Sequence, residues 1–174
     1  MAKDYSDLLV SGGAGDVIGT MTIKARSTQL GGDFSVMQAK IEPHQLLAPH
    51  THENEDQLVF IIEGELEFEV GGEGGTRFTA RTGDYVIKPR KVSHGFWNTT
   101  DKTVLYIELS GRNGFENFVD STAEGALKAA LEAPSRYGVT FHHDRIPSLM
   151  RENHLTSVAG MEMPWEGKLP PLPR

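Results

Sequence analysis

His50 and His52, two positions apart, open the part of this sequence that can do chemistry. On a β-strand, residues i and i+2 project from one face, so both imidazoles can address a single metal ion. Gln57 begins the next apolar segment after a short loop and offers an amide oxygen to the same place. Further on, in GDYVIKPRKVSHGFWN, Gly83 and Asp84 mark a turn and Pro89 breaks a strand. His94 begins another strand there, from which a third imidazole can reach across a barrel. The chain has no cysteine, which removes disulfides, thiolate zinc sites and cysteine nucleophiles at once. Any metal must therefore rest on nitrogen and oxygen, and such donors accept Fe, Mn, Ni, Co or Zn without distinguishing them.

The elements that must position these residues are strands. From Asp16 to Ser110, short segments with period-two alternation or β-branched and aromatic enrichment are separated by Gly, Pro, Asn and Asp. Strands are predicted in DVIGTMTIK, DFSVMQAKIE, DQLVFIIE, GELEFEV, TRFTA, DYVIKP and KTVLYIEL. In GELEFEV, Leu66, Phe68 and Val70 should face a core, and Glu65, Glu67 and Glu69 should face water. GGEGG at 71–75 is a hairpin connection. Many short strands with tight turns make an all-β sandwich or barrel. After Ser110, Ala, Leu, Glu and Lys fall at helical spacing, which predicts a helix over about 122–133 with Ser121 or Thr122 as its N-cap. A second short helix is expected in IPSLMRENHL, with Pro147 in its first turn and an apolar face of Leu149, Met150 and Leu155. The division expected is an N-terminal arm (1–15), a β-barrel (16–110), and a C-terminal helical extension with an extended, proline-rich tail (111–174).

The two histidine segments together resemble the cupin superfamily. Its first motif reads G-x5-H-x-H-x3-4-E-x6-G and its second G-x5-P-x-G-x2-H-x3-N. His50, His52 and Gly64 fit the first, and Gly83, Pro89, His94 and Asn98 fit the second. Two motif glycines are missing, with His44 standing where the first motif has one and Lys91 where the second does. The strand entering the site is therefore expected to turn differently. The resemblance covers about 45–98 directly and implies a double-stranded β-helix, the cupin jelly-roll barrel. It also implies one divalent metal ion on His50, His52, His94 and the residue at the glutamate position, which here is Gln57. A neutral amide leaves the ion's charge uncancelled, makes it a stronger Lewis acid and favours anionic substrates such as enolates, carboxylates or phenolates. Glu53, Glu55 or Asp56 is the alternative source of a carboxylate.

If Gln57 and His94 face the lumen, alternation brings Val59, Ile61 and Phe96 with them as apolar pocket walls. Tyr106 and Glu108 share a face of the last barrel strand and supply a phenol and a carboxylate either to that pocket or to the surface. His142 and His143 are adjacent and cannot share a strand face, and His154 falls in an expected surface helix, so all three stand outside the site. SGGAGD near the N-terminus lacks the Lys-Ser/Thr ending of a phosphate loop and reads as a plain loop.

The net charge of −7 with scattered basic residues opposes nucleic-acid binding. Neither an apolar run of membrane-spanning length nor a secretory leader is present, so a cytoplasmic protein is expected. GRNGFENFVD is similar to the barrel exit of single-domain quercetin dioxygenase-like cupins, which implies a metal-dependent dioxygenase acting on a small molecule. The three-histidine, one-glutamine set is similar to that of cupin hydroxynitrile lyases, which implies Lewis-acid lyase or isomerase chemistry instead. A non-catalytic small-molecule-binding cupin, or one with a vacant site, is the remaining alternative. Open sheet edges make a homodimer the expected assembly.

Overall fold

The computed structural model describes residues 6–161, and the expected extended tail at 163–174 lies outside them. The barrel strands run in chain order as β1 (Asp16–Ile18), β2 (Met21–Ala25), β3 (Phe34–Ile41), β4 (Gln45–His52) and β5 (Gln57–Glu63). They continue as β6 (Glu65–Val70), β7 (Thr76–Arg81), β8 (Tyr85–Lys88), β9 (His94–Trp97) and β10 (Val104–Gly111). Two helices follow, α1 (Gly114–Thr122) and α2 (Ala126–Glu132), then β11 (Val139–Phe141), α3 (Ile146–Glu152) and β12 (Ser157–Val158). One sheet has the order β1-β2-β3-β10-β5-β8 and the other β11-β4-β9-β6-β7, with β12 beside β4. Two facing sheets of crossing-over antiparallel strands are the double-stranded β-helix expected of the motifs.

Alternation sorts the lumen from the outside. On β10, Val104, Tyr106, Glu108 and Ser110 are buried, and on β5 so are Gln57, Val59 and Ile61. On the edge strand β8, Val86 and Lys88 point inward, whereas Tyr85 and Ile87 are exposed. The segment read as one strand from Asp16 is instead a hairpin that turns at Gly19, whose φ of 58° glycine adopts without strain.

The glutamate face of β6 is not all wet. Glu69 is 4% exposed, held by Arg145 at 2.9 Å and Arg77 at 2.7 Å. Glu67 accepts a hydrogen bond from the Trp97 indole at 3.2 Å. The C-terminal segment lies over the outside of this sheet, with Leu149, Met150, Leu155 and Val158 packed on Leu46, Ala48 and Trp97. The helix α3 forms as expected with Leu149 and Met150 buried, while Leu155 of the expected face packs in the same cluster from beyond the helix end.

The helix predicted over 122–133 is α2, which starts later than expected, at Ala126, and a helix that was not expected, α1, precedes it. α1 begins at Gly114, and the hydroxyls of Ser121 and Thr122 donate back to the carbonyls of Phe118 and Val119 in its last turn rather than cap a following helix. The N-terminus of α1 is held by Glu55, whose carboxylate accepts from the Phe115 amide at 2.9 and 3.0 Å. This cap comes from far away in the sequence, so local pattern does not show it.

The two positions where the motifs carry glycine are left-handed in this chain. His44 has φ 53° and Lys91 φ 65°, so both positions keep left-handed backbone that a glycine would adopt freely. His44 is anchored there by its imidazole, 3.0 Å from Asp101.

Candidate metal centre

His50 and His52 reach the lumen through a β-bulge. On β4, Leu47 packs into the lumen cluster while Leu46 and Ala48 face the outer helix α3. Uninterrupted alternation would send His50 and His52 outward with Leu46 and Ala48. Between Leu47 and His50, however, the register against β9 shifts: Leu47 pairs with Phe96 and His50 with His94. Three steps on β4 thus oppose two on β9, and the extra residue turns the following side chains to the other face. Pro49, which cannot donate to a ladder, sits in the bulge. Gly95 lies against it, because a Cβ there would meet the Pro49 ring and backbone at 3.0–3.3 Å.

All three imidazoles are buried, with His50 at 4%, His52 at 1% and His94 at 1% exposure. Their ligand nitrogens lie within 4.8 Å of one another. The Nδ1 atoms of His50 and His94 face the carbonyls of Ala48 at 2.8 Å and Val92 at 3.1 Å. If Nδ1–H donates to those carbonyls, each Nε2 keeps its lone pair for the lumen. The two Nε2 atoms face each other at 3.2 Å, about the spacing of nitrogens that each sit ~2.1 Å from one ion at a right angle.

Three buried polar atoms support a metal in this place. Neither ring nitrogen of His52 has a hydrogen-bond partner, and the Gln57 Oε1 has none either. Buried polar groups without a partner are costly and uncommon. Gln57 donates its amide N–H to the Ser110 hydroxyl at 3.3 Å, which leaves its oxygen as the free end. A cation-accepting set of imidazoles and one amide oxygen fits a single divalent ion.

Burial keeps the imidazoles neutral. His52 is pushed down to about 3, by burial first and then by the positive charge of Lys88. His50 and His94 are lowered well below the usual range by burial, then by each other or His52, and also by Lys88. Neutral imidazole is the form that ligates a metal.

The carboxylates considered as alternatives to Gln57 go elsewhere. Asp56 is exposed and bound to Arg90 at 2.5 Å, which holds it down to about 2. Glu53 is exposed. Glu55 is buried, caps α1, and lies 3.7 Å from His52 Nδ1, beside the ring rather than at its other nitrogen. Asn98 of the second motif is structural: its amide donates to the carbonyls of Ile41, Glu42 and Lys102.

The expected pocket walls Val59, Ile61, Phe96 and Tyr106 are all buried in one cluster, and Tyr106 meets Phe96 edge-on at 5.5 Å. Glu108 shares the lumen, and its partner is a residue the motif reading passed over, Lys88, at 2.5 Å. Lys88 was legible in principle, since it shares parity with Val86 on a strand whose other residues face out. Burial pushes the Lys88 ammonium down and the Glu108 carboxyl up. The far side of the site is closed by aromatic residues from beyond the barrel, Phe115 against His52 at 5.1 Å and Phe141 against His50 at 5.7 Å. β11 delivers Phe141 by pairing with β4 at the ligand residues themselves. His142 bonds Thr51 on that pairing and His143 stacks on Phe141, so neither joins the three imidazoles.

Residues 37–110 match the family model described as a cupin domain. The barrel is a cupin. Among curated proteins this cupin is 32% identical over 87 residues to H2HPP isomerase of Bacillus subtilis, a match covering 50% of this chain and 36% of that one. The chain thus spans about a third of the length of that relative. Among solved structures, KdgF from a Halomonas species aligns at a TM-score of 0.47 and 24% identity, covering 53% of this chain and 76% of that one. The cupin domain of Schizosaccharomyces pombe Cnp3 aligns at 0.48 and 14%, covering 58% and 67%. No helix among the described residues is long and apolar enough to cross a membrane.

Proposed function

We propose that this cupin is a metal-dependent enzyme that moves a proton on a small anionic organic substrate, as an isomerase or lyase does. His50, His52, His94 and Gln57 hold one divalent ion in this reading, and the ion when bound supplies Lewis-acid polarisation of a substrate oxygen. The observation that carries the reading is the Lys88–Glu108 pair, buried in the same lumen and close enough for the lysine charge to depress all three imidazoles. Ionisable pairs inside apolar barrels are expensive and concentrate where chemistry is done. Lys88 Nζ donates a hydrogen bond to Glu108 Oε1, which gives a proton a path between them, and Glu108 is the group that holds or releases it. Val59, Ile61 and Phe96 keep water from competing for that proton. The name of the Bacillus subtilis relative, an isomerase, agrees with this class.

The same apolar walls favour a second reading, a dioxygenase in which substrate and O₂ meet in a dry lumen. The two are separated by reloading the protein, purified without a histidine tag, with Fe, Mn, Ni, Co and Zn in turn. Enolisable carbonyl acids are then incubated anaerobically in D₂O. Deuterium uptake that Glu108→Gln abolishes supports proton transfer. O₂ consumption in parallel aerobic samples, with no deuterium uptake in the anaerobic ones, establishes the dioxygenase instead. Failure of any ion to bind removes both.

A further inference from the structure

Beside the metal centre, outside the barrel wall, lies a cleft of about 590 Å³, within the usual size range of small-molecule sites. It is lined by Asn54, Glu55, Arg112, Asn113, Asn117 and Tyr137. Glu55 is its link to the chemistry, because the same buried carboxylate lies 3.7 Å from His52. Five charged residues reach the cleft, and most are already matched. Asp120 is clamped by Arg26 at 2.8 and 3.1 Å, Arg136 is bound to Glu132 at 3.0 Å, and Glu124 faces Lys128 at 3.9 Å. Glu55 accepts the helix amide of Phe115.

Arg112 is left over. Among the described residues its guanidinium makes no hydrogen bond and no ion pair, and its charge is felt only at a distance by Glu55 and Asp56. Its backbone is also held in an uncommon form, φ 60° in a residue with a side chain, at the joint between β10 and α1. The Arg112 amide is fixed there by the carbonyl of Asp33 at 2.7 Å. Non-glycine residues kept left-handed cluster at functional sites. Asn54, Asn113 and Asn117, whose side-chain amides can donate, line the same cleft as the one unmatched cation.

We propose that this cleft is the recognition subsite for the carboxylate of a small monoanionic substrate, with Arg112 as the residue that selects it. The proposal rests on the enzyme reading above and names its substrate class: a small organic acid whose carboxylate is gripped by Arg112. A planar guanidinium fork suits a carboxylate in two-point contact, and Tyr137 supplies an aromatic wall beside it.

The test uses metal-free protein, so that a carboxylate has no ion to bind. Phenylacetate and its neutral isostere phenylacetamide are titrated into the wild type, Arg112→Ala and Arg112→Lys, with amide NMR shifts at 112–117 as the readout. The wild type is expected to bind the acid about tenfold more tightly than the amide, as one charge-assisted contact provides. Arg112→Ala loses that preference, and Arg112→Lys keeps part of it. Equal binding of the two probes, a preference that survives in Arg112→Ala, or no saturable binding of phenylacetate overturns the proposal. Metal uptake, measured on the same proteins by elemental analysis, reads the metal centre separately: Arg112→Ala should load like the wild type, and a wild type that loads nothing defeats the enzyme reading and not the subsite.

Discussion

At the residue scale, the proposed metal site rests on three imidazoles held neutral and on the amide of Gln57. His94→Ala removes a nitrogen 3.2 Å from its neighbour, and elemental analysis should show metal content falling from about one equivalent to a small fraction. Gln57→Glu should act oppositely on affinity, binding the ion about tenfold or more tightly while slowing turnover, because an anionic ligand cancels part of the charge that polarises substrate. A competing-chelator titration beside a rate measurement reads both. The pH dependence follows from burial. In the unfolded chain the imidazoles titrate near ~6.5, and in the folded metal-free protein all three titrate lower, His52 only at about 3. Below pH ~6.5 the unfolded state therefore binds more protons than the folded one, and stability is lost as pH falls. Each imidazole contributes a slope of up to ~1.4 kcal/mol per pH unit. Urea unfolding of the metal-free protein between about pH 7.5 and 5.5 should show this decline, and a flat profile would place the imidazoles in contact with water.

At the element scale, the decisive feature is the bulge in β4. Because Gly95 on β9 leaves room for Pro49, Gly95→Ala should push the bulge away from its partner and cost about 1–3 kcal/mol of stability. Metal uptake should fall more than the stability loss alone accounts for, since His50 follows Pro49 directly. Denaturant unfolding and metal content on the same sample separate the two effects. The turns at His44 and Lys91 offer the converse change. Lys91 is exposed and left-handed, so Lys91→Gly should relieve ~1–2 kcal/mol of backbone strain and give back ~0.4–1 kcal/mol in unfolded-chain entropy. A net gain of about 0.5 kcal/mol in urea unfolding is expected, with metal binding unchanged.

At the scale of the whole molecule, the region after the barrel completes the site. α1 brings Phe115 onto His52, β11 brings Phe141 onto His50, and Glu55 ties the start of α1 to the loop between the ligands. Filling the centre should therefore stabilise the cover as well as the barrel. At a free metal concentration of about 100 times Kd, linkage gives about 2.7 kcal/mol. For a chain of this length that corresponds to a rise in Tm of roughly 5–10 °C. Hydrogen exchange should slow in 114–122 and 139–141 on loading. Protection confined to the barrel strands would mean that the cover and the ion are uncoupled.

Much of this protein follows from residue type and spacing. The all-β class rests on alternation and turn residues, the three-histidine set on two spaced motifs, and the burial of Val59, Ile61 and Phe96 on strand parity. These are local properties, carried by neighbours a few residues apart. The tertiary structure decided what depends on distant partners. Parity on β4 reverses at a bulge that exists only against β9, so simple alternation from Leu46 sends His50 the wrong way. The helix α1, which local pattern does not announce, begins at Gly114, where Glu55, remote in the chain, accepts from the Phe115 amide. Glu69, written into a face that reads as wet, is buried because Arg145 folds back over it. Whether Glu108 served the lumen or the surface was open until Lys88 met it there, since a charge's burial is set by the partner that tertiary contact brings and not by its place in a strand.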